Sequence, residues 1–192
     1  MMDRREALSA IALLVGGTLV GAEAFLTGCK TTGKKEGLFA TEDIALLDEV
    51  GDTILPTTAT SPGAKAAKIG EFMKTIVTDC YNDDDQKTFT DGIGKLNDAS
   101  KKKFDKTFME LAPEQRHDLL VGLDKEAKDY DATRKDKTKD PSHYFSLMKQ
   151  LTLWGYFTSE QGATKALRYV PVPGKYIGDY PYKKGDKAWA LQ

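Results

Sequence analysis

Two cysteines and two histidines in 192 residues leave little material for metal or redox chemistry. Two thiols cannot build a disulfide-rich scaffold or a four-cysteine metal site. A basic surplus is missing too. Lys+Arg 28 against Asp+Glu 29 gives a net charge of -1, which removes the electrostatic case for binding nucleic acid. The motifs of self-contained catalysis are absent: no CxxCH for covalent haem, no G-x-G-x-x-G or G-x-x-x-x-G-K-[ST] phosphate cradle, no G-x-S-x-G elbow. No alternating strand pattern of useful length precedes residue 168. What remains is 40% hydrophobic and 30% charged, a globular composition at a length suited to one domain.

The uncharged run from Ala7 to Ala22 is shorter than the roughly 20 residues a membrane helix needs, and Ser9, Gly16, Gly17, Thr18 and Gly21 dilute it. Behind a charged start, such a run predicts an export signal over residues 1–28. Arg4-Arg5 resembles the twin-arginine address of a translocase for folded proteins, with Leu8 in place but Ala7 and Ser9 where Phe and Lys are commoner. Leu26-Thr27-Gly28-Cys29 resembles a bacterial lipobox, so Cys29 is the candidate for acylation. Two or more acyl chains anchor stably, since each buried methylene contributes about 0.8 kcal/mol. Removing residues 1–28 takes Asp3, Arg4, Arg5, Glu6 and Glu23 and leaves a neutral mature chain. The expected location is the bacterial cell envelope, lipid-anchored and facing the periplasm.

Residues 29–40 read as a tether, Lys-, Thr- and Gly-rich up to Gly37, and residues 41–192 as one helical domain. Thr41 is a candidate N-cap ahead of Ile44, Leu47, Val50 and Ile54, and Pro56 with the stretch to Gly63 ends that segment. Ile69, Phe72, Met73, Ile76, Val77 and Cys80 fall on one stripe, with Cys80 expected as a small buried hydrophobe. Asp83-Asp84-Asp85 opens a helix rather than a calcium loop, because the alternating ligands and Gly of an EF-hand are missing. Phe89, Ile93 and Leu96 continue it, a charged turn is expected at Asp98–Lys103, and Phe104, Phe108 and Leu111 form a second patch. Pro113 suits a first helical position, followed by Leu119, Leu120, Leu123 and Ala127; Asp129 to Asp140 reads as a solvated loop. Tyr144, Phe145, Leu147, Met148, Leu151 and Trp154 mark the last long helix, which Gly155 should stop, with Thr158 and Gln161 spaced as a capping box. The fold class is all-α, a bundle-like domain with an extended tail from about residue 168, where Pro171, Pro173 and Pro181 forbid helix.

No catalytic residue and no metal ligand stands out. His117 reads as solvent-facing and His143 as a local structural residue at a helix start. Glu160 is the one carboxylate in an aromatic setting, and helix capping is its better role. Trp154, Tyr156, Phe157, Tyr169, Tyr176, Tyr180, Tyr182 and Trp189 crowd the last quarter. Tyr and Trp suit interfaces because they bury area while keeping a polar tip; stapling the tail to the bundle is the competing use of these rings. The candidate partner surface is Trp154, Tyr156, Phe157, Glu160, Tyr169, Pro171, Pro173 and Tyr176.

Several blocks resemble the gluconate 2-dehydrogenase subunit 3 family. The most specific are Leu151-Thr152-Leu153-Trp154-Gly155-Tyr156-Phe157-Thr158-Ser159-Glu160 and Ala166-Leu167-Arg168-Tyr169-Val170-Pro171-Val172-Pro173-Gly174-Lys175-Tyr176. Supporting blocks are Val50–Pro56, Pro62-Gly63-Ala64 with Phe72, and Phe108–Gln115, so the likeness runs from about residue 38 to 182. Members often carry Gly-Cys-x-Pro after the tail tyrosine, where this chain has Gly178-Asp179-Tyr180-Pro181. The resemblance implies a non-catalytic small subunit of a membrane-associated dehydrogenase of sugars or sugar acids. The FAD would sit in a large GMC-type flavin subunit rather than in this chain, and electrons would pass to a c-type cytochrome or other acceptor. The small subunit would carry the signal to the twin-arginine translocase for its partner. A free-standing periplasmic lipoprotein that binds a sugar or envelope component is the alternative, and a hydrolase with an unfamiliar site a third reading.

Overall fold

A computed structural model describes residues 37–136 and 140–191. The expected signal at 1–28 and the tether up to Glu36 lie outside the described residues. The domain is all-α, as its periodicity predicts, with one small sheet. Its helices are α1 (Thr41–Ile54), α2 (Ile69–Cys80), α3 (Asp83–Phe104), α4 (Pro113–Thr133) and α5 (Tyr144–Thr158). Short 3-10 turns at Ala64–Ala67 and Phe108–Glu110 and a π turn at Gly162–Ala166 punctuate them. Strands β1 (Arg168–Val170) and β2 (Trp189–Leu191) pair in parallel, Arg168 opposite Trp189.

Local chemistry sets the helix ends. Ala40, not Thr41, is the N-cap of α1, and its N–H donates to the Asp43 carboxylate at 2.8 Å. Asn82 caps α3, accepting from the Asp85 N–H at 2.9 Å. Asp83–Asp85 at the start of α3 and Lys101–Lys103 at its end both complement the helix dipole. That explains why the expected turn at Asp98–Lys103 is instead the last part of α3. Ser100 and Leu96 stay fully buried there, Ser100 donates to the Lys106 carbonyl at 2.7 Å, and the charges occupy the outer face. Asp105, at φ 57°, ends the helix in the left-handed region. The expected solvated loop also begins later, because α4 runs on through Thr133.

Phe89, Phe108, Phe145, Leu47, Ile69, Met73, Leu96, Met148 and Leu151 form the fully buried centre. Leu38 and Phe39, at the end of the expected tether, pack onto it, with the Phe39 and Phe89 rings 6.0 Å apart. Cys80 is exposed rather than buried: the apolar stripe of α2 ends at Val77, and the last helical residue turns outward. Glu49 on α1 joins α4 and the first 3-10 turn through a salt bridge to Arg116 and a 2.8 Å bond to Lys65. Arg116 also donates to the Phe108 and Met109 carbonyls and lies over the Phe108 ring.

Helix α5 packs against all four other helices. Two glycines make that possible. A Cβ on Gly92 of α3 would come within 2.5 Å of the Tyr144 Cβ, and a Cβ on Gly155 within 2.5 Å of the Phe72 ring. Gly155 therefore does not stop α5 as its low helix propensity suggests. It lets α2 and α5 touch.

Gly92→Ala is expected to destabilise the domain by about 1–3 kcal/mol, since the clashing atom is anchored close to the Tyr144 backbone. Gly94→Ala on the same helix meets nothing within 4 Å and is expected to stabilise by about 0.5–1 kcal/mol. Urea unfolding followed by circular dichroism measures both, and equal effects would refute the tight crossing.

Candidate partner-binding surface

The exposed end of α5 is built by what the helix buries. With Leu151, Thr152, Gly155 and Tyr156 facing inward, Leu153, Trp154 and Phe157 are left on the outer face, 37%, 51% and 38% exposed. Trp154 is nonetheless fixed. Its ring meets Phe72 edge-on at 5.5 Å, and Phe72 in turn rests on Gly155. Phe157 meets Tyr156 edge-on at 5.2 Å.

Tyr156 is spent inside the domain: it is 3% exposed, and its hydroxyl bonds to Ser61 Oγ at 2.7 Å and to the Pro62 carbonyl. It staples the end of α5 to the segment after α1 and presents nothing to a partner. The cap beyond the helix is formed by Ser159 rather than by Thr158 with Gln161. Ser159 Oγ accepts the Gly162 N–H at 3.1 Å, while the Thr158 hydroxyl turns back to the Trp154 carbonyl. Glu160 is exposed, and its backbone carbonyl accepts from Thr164 at 2.6 Å.

The tail leaves this corner through Tyr169, 40% exposed, and then Pro171 and Pro173, both exposed. Arg168 holds its return: the guanidinium lies 4.3 Å from the Trp189 ring centroid, and the Arg168 backbone N–H donates to the Ala188 carbonyl at 2.8 Å. Trp189 meets Tyr180 edge-on at 5.2 Å. The Lys187 amine reaches the carbonyls of Lys165 and Thr60, which pins the tail to the helices. A groove of about 500 Å³ opens between Val170, Pro173, Tyr176, Ile177, Tyr180 and Trp189. Tyr176, 91% exposed, stands almost wholly in water.

The structure thus brings Trp154 and Phe157 together on α5 and gathers Pro173 and Tyr176 in the tail groove. Leu153 belongs to the first group; the inward stripe of α5, read to its end, implies it. Arg168 and Ile177 carry no local signal, because their roles depend on a strand pairing between segments far apart in sequence. Arg4, Arg5 and Cys29 lie outside the described residues.

Both histidines have the places expected of them. His117 is exposed on α4. His143 caps α5, its Nδ1 accepting the Phe145 N–H at 3.3 Å, and its ring lies 4.5 Å from Tyr144 and 5.8 Å from Tyr130. An accepting Nδ1 requires the neutral ring with its proton on Nε2, the nitrogen 3.7 Å from Glu126. Burial holds the His143 pKa below its ordinary value despite the pull of Glu126, and burial also pushes the Tyr144 phenol up to about 12. Among the described residues, no group of three or more His, Cys, Asp and Glu is placed to hold a metal ion.

Because the unfolded chain binds a proton at His143 more readily than the folded one, this residue favours folding fully only above pH 6.5. The contribution is lost as pH falls below that value toward the lower folded pKa. His143→Asn keeps a capping oxygen but does not titrate. Its stability is expected to fall less steeply than the parent's below pH 6.5 in urea titrations, and parallel curves would refute the role.

No curated protein and no solved structure matches the chain. The sequence pattern of gluconate 2-dehydrogenase subunit 3 matches residues 41–174, from the first turn of α1 through the π turn and β1 into the proline-rich tail. The match covers well over half of the sequence and includes Trp154, Phe157, Tyr169, Pro171 and Pro173, so the chain belongs to the gluconate 2-dehydrogenase subunit 3 family.

Proposed function

We propose that this chain is the non-catalytic small subunit of a membrane-associated, FAD-dependent sugar or sugar-acid dehydrogenase. It carries the export signal and lipid anchor for a large GMC-type flavin subunit and supports that subunit's export and maturation. One observation carries the reading: within the stretch that matches the family, Trp154 and Phe157 stay exposed with Leu153 on a helix whose opposite face is committed to the core. Aromatic rings held rigidly in water are the material of binding hot spots, because little side-chain freedom is lost when a partner covers them. Tyr169 and Pro171 extend the same surface into the tail.

Arg4-Arg5 supports the escort part by chemistry. A helical domain without a cofactor gains nothing from a translocase for folded cargo, whereas a flavin subunit that takes up FAD in the cytoplasm does. The pair would travel preassembled, Cys29 would hold it at the envelope, and a c-type cytochrome is a candidate electron acceptor.

Co-expression with the flavin subunit tests this. Arg4→Lys with Arg5→Lys is expected to leave the flavin subunit in the cytoplasm, read by fractionation and dehydrogenase activity. Trp154→Ser with Phe157→Ser is expected to cost about 2 kcal/mol or more of affinity for it, read by co-purification of yellow material in mild detergent. Full export and activity of the flavin subunit with the arginine variant, or without this chain at all, would sink the escort reading.

A further inference from the structure

The two aromatic groups differ in charge. Around Leu153, Trp154 and Phe157 on α5 the lysine of that face, Lys149, is paired with Asp124 at 2.5 Å, while the tail from Arg168 onward carries Arg168, Lys175, Lys183, Lys184 and Lys187 against Asp179 and Asp186. Asp186 is already engaged, by Arg168 at 3.8 Å and by the Lys183 N–H at 2.9 Å, and the Lys187 amine is turned back onto the domain. The loop between the strands therefore presents Lys175, Lys183 and Lys184 with Asp179 alone opposing them. The same loop exposes Val172 at 79%, Tyr176 at 91%, Ile177 at 49%, Tyr180 at 49% and Tyr182 at 77%. It runs from Pro171 to Ala188 without helix or strand.

We infer that this loop docks the domain onto an anionic lipid surface, its tyrosines and Ile177 entering the headgroup layer and its three lysines meeting lipid phosphates. Two observations select this occupant. First, tyrosine and tryptophan beside lysine is the composition suited to a membrane–water boundary, where rings enter the headgroup region and ammonium groups stay with phosphate. Irregular backbone is tolerated at that depth because water still reaches it. Second, the chain from Cys29 to Leu38 spans at most about 30 Å when fully extended, so an anchor at Cys29 confines the domain to the near zone of the bilayer. There each exposed lysine adds about 1 kcal/mol of attraction to an anionic leaflet. This second argument rests on the anchoring reading above. The inference moves Pro173 and Tyr176 from the flavin-subunit surface to the lipid, and leaves Trp154 and Phe157 with the protein partner.

The test uses the chain from Lys30 onward, which lacks the acyl group and retains the whole compact unit Gly37–Gln192. Vesicles of phosphatidylcholine with phosphatidylglycerol should sediment with it, and vesicles of phosphatidylcholine alone should bind it far less. Added salt should weaken the binding, and Trp189 emission, read in a Trp154→Phe background, should shift to the blue. Replacing Lys175, Lys183 and Lys184 together by Ser is expected to lower partition about a hundredfold, and Tyr176→Ser with Tyr182→Ser about tenfold. These side chains are exposed, so helical circular dichroism should stay unchanged. Absence of binding to the anionic vesicles, equal binding to both lipids, or binding untouched by the tail substitutions overturns the inference. So does a tail variant that loses capture of purified flavin subunit while no variant binds vesicles, which would assign the loop to protein instead. None of these readouts involves export, so the lipid inference and the escort reading fail separately.

Discussion

The contact of Phe72 with the bare backbone at Gly155 is the constraint on which the rest of the architecture depends. Any side chain at position 155 would drive the ring away, and with it α2, whose buried residues Ile69, Met73 and Val77 complete the core on that side. The same contact sets the outer surface. Phe72 meets Trp154 at an interplanar angle of 87°, so the exposed indole is held from beneath by a ring that is itself wedged between helices. A tryptophan fixed in this way loses little freedom when it is covered, which is the physical condition for a strong anchor. Gly70 repeats the device one crossing away, where a Cβ would meet the Ile44 carbonyl at 2.3 Å. Close helix approach and a rigid aromatic surface have one cause.

The apolar stripes of this chain were legible because they follow helical period with few interruptions. Leu119, Leu120, Leu123 and Ala127 predict the buried face of α4, and Pro113 its first position. Sequence pattern and structure part where local composition and tertiary packing disagree. Asp98–Lys103 and Asp129–Thr133 are dense in charge and read as breaks, yet a charged outer face costs a helix little when its inner face holds Ser100 or Ala127. Gly155 reads as a stop by propensity alone, and packing overrides it. Cys80 shows the opposite error: a stripe extended one turn too far, past the point where neighbouring helices still cover it. Tyr156 could not have been sorted from Trp154 and Phe157 by aromaticity. Its phase on α5, in register with Thr152 rather than with Leu153, is what buries it.

The tail was legible as extended chain and no further. Pro171, Pro173 and Pro181 forbid helix, but nothing local says that Arg168 will stack on Trp189 or that the two short strands will run parallel. A parallel pair needs a long crossover, and here that crossover is the exposed aromatic loop itself. The clamp has three independent points: the strand pair, the Arg168 guanidinium over Trp189, and the Lys187 amine on Lys165 and Thr60. Together they fix both ends of the loop and leave its middle, around Tyr176 and Tyr182, exposed.

Fixing the ends of a loop while leaving its rings in water is costly, because their apolar area stays hydrated, so the arrangement needs a compensating use. The two aromatic surfaces answer that demand by different physics. On α5, Trp154 and Phe157 are held by ring contacts, and the lysine of their face, Lys149, is paired with Asp124, so a partner would be recognised there chiefly by shape and burial. In the tail, Tyr176 and Tyr182 are exposed between the clamps and share the loop with Lys175, Lys183 and Lys184, so attraction of an anionic surface there would be long-ranged and screened within about 10 Å at moderate ionic strength. A rigid uncharged surface discriminates between partners of similar charge, whereas a cationic aromatic loop adapts to any anionic, partly apolar boundary. On the proposed reading, placing both on one helical domain would separate specificity from adhesion, and that separation would follow from where the unpaired lysines fall in the sequence.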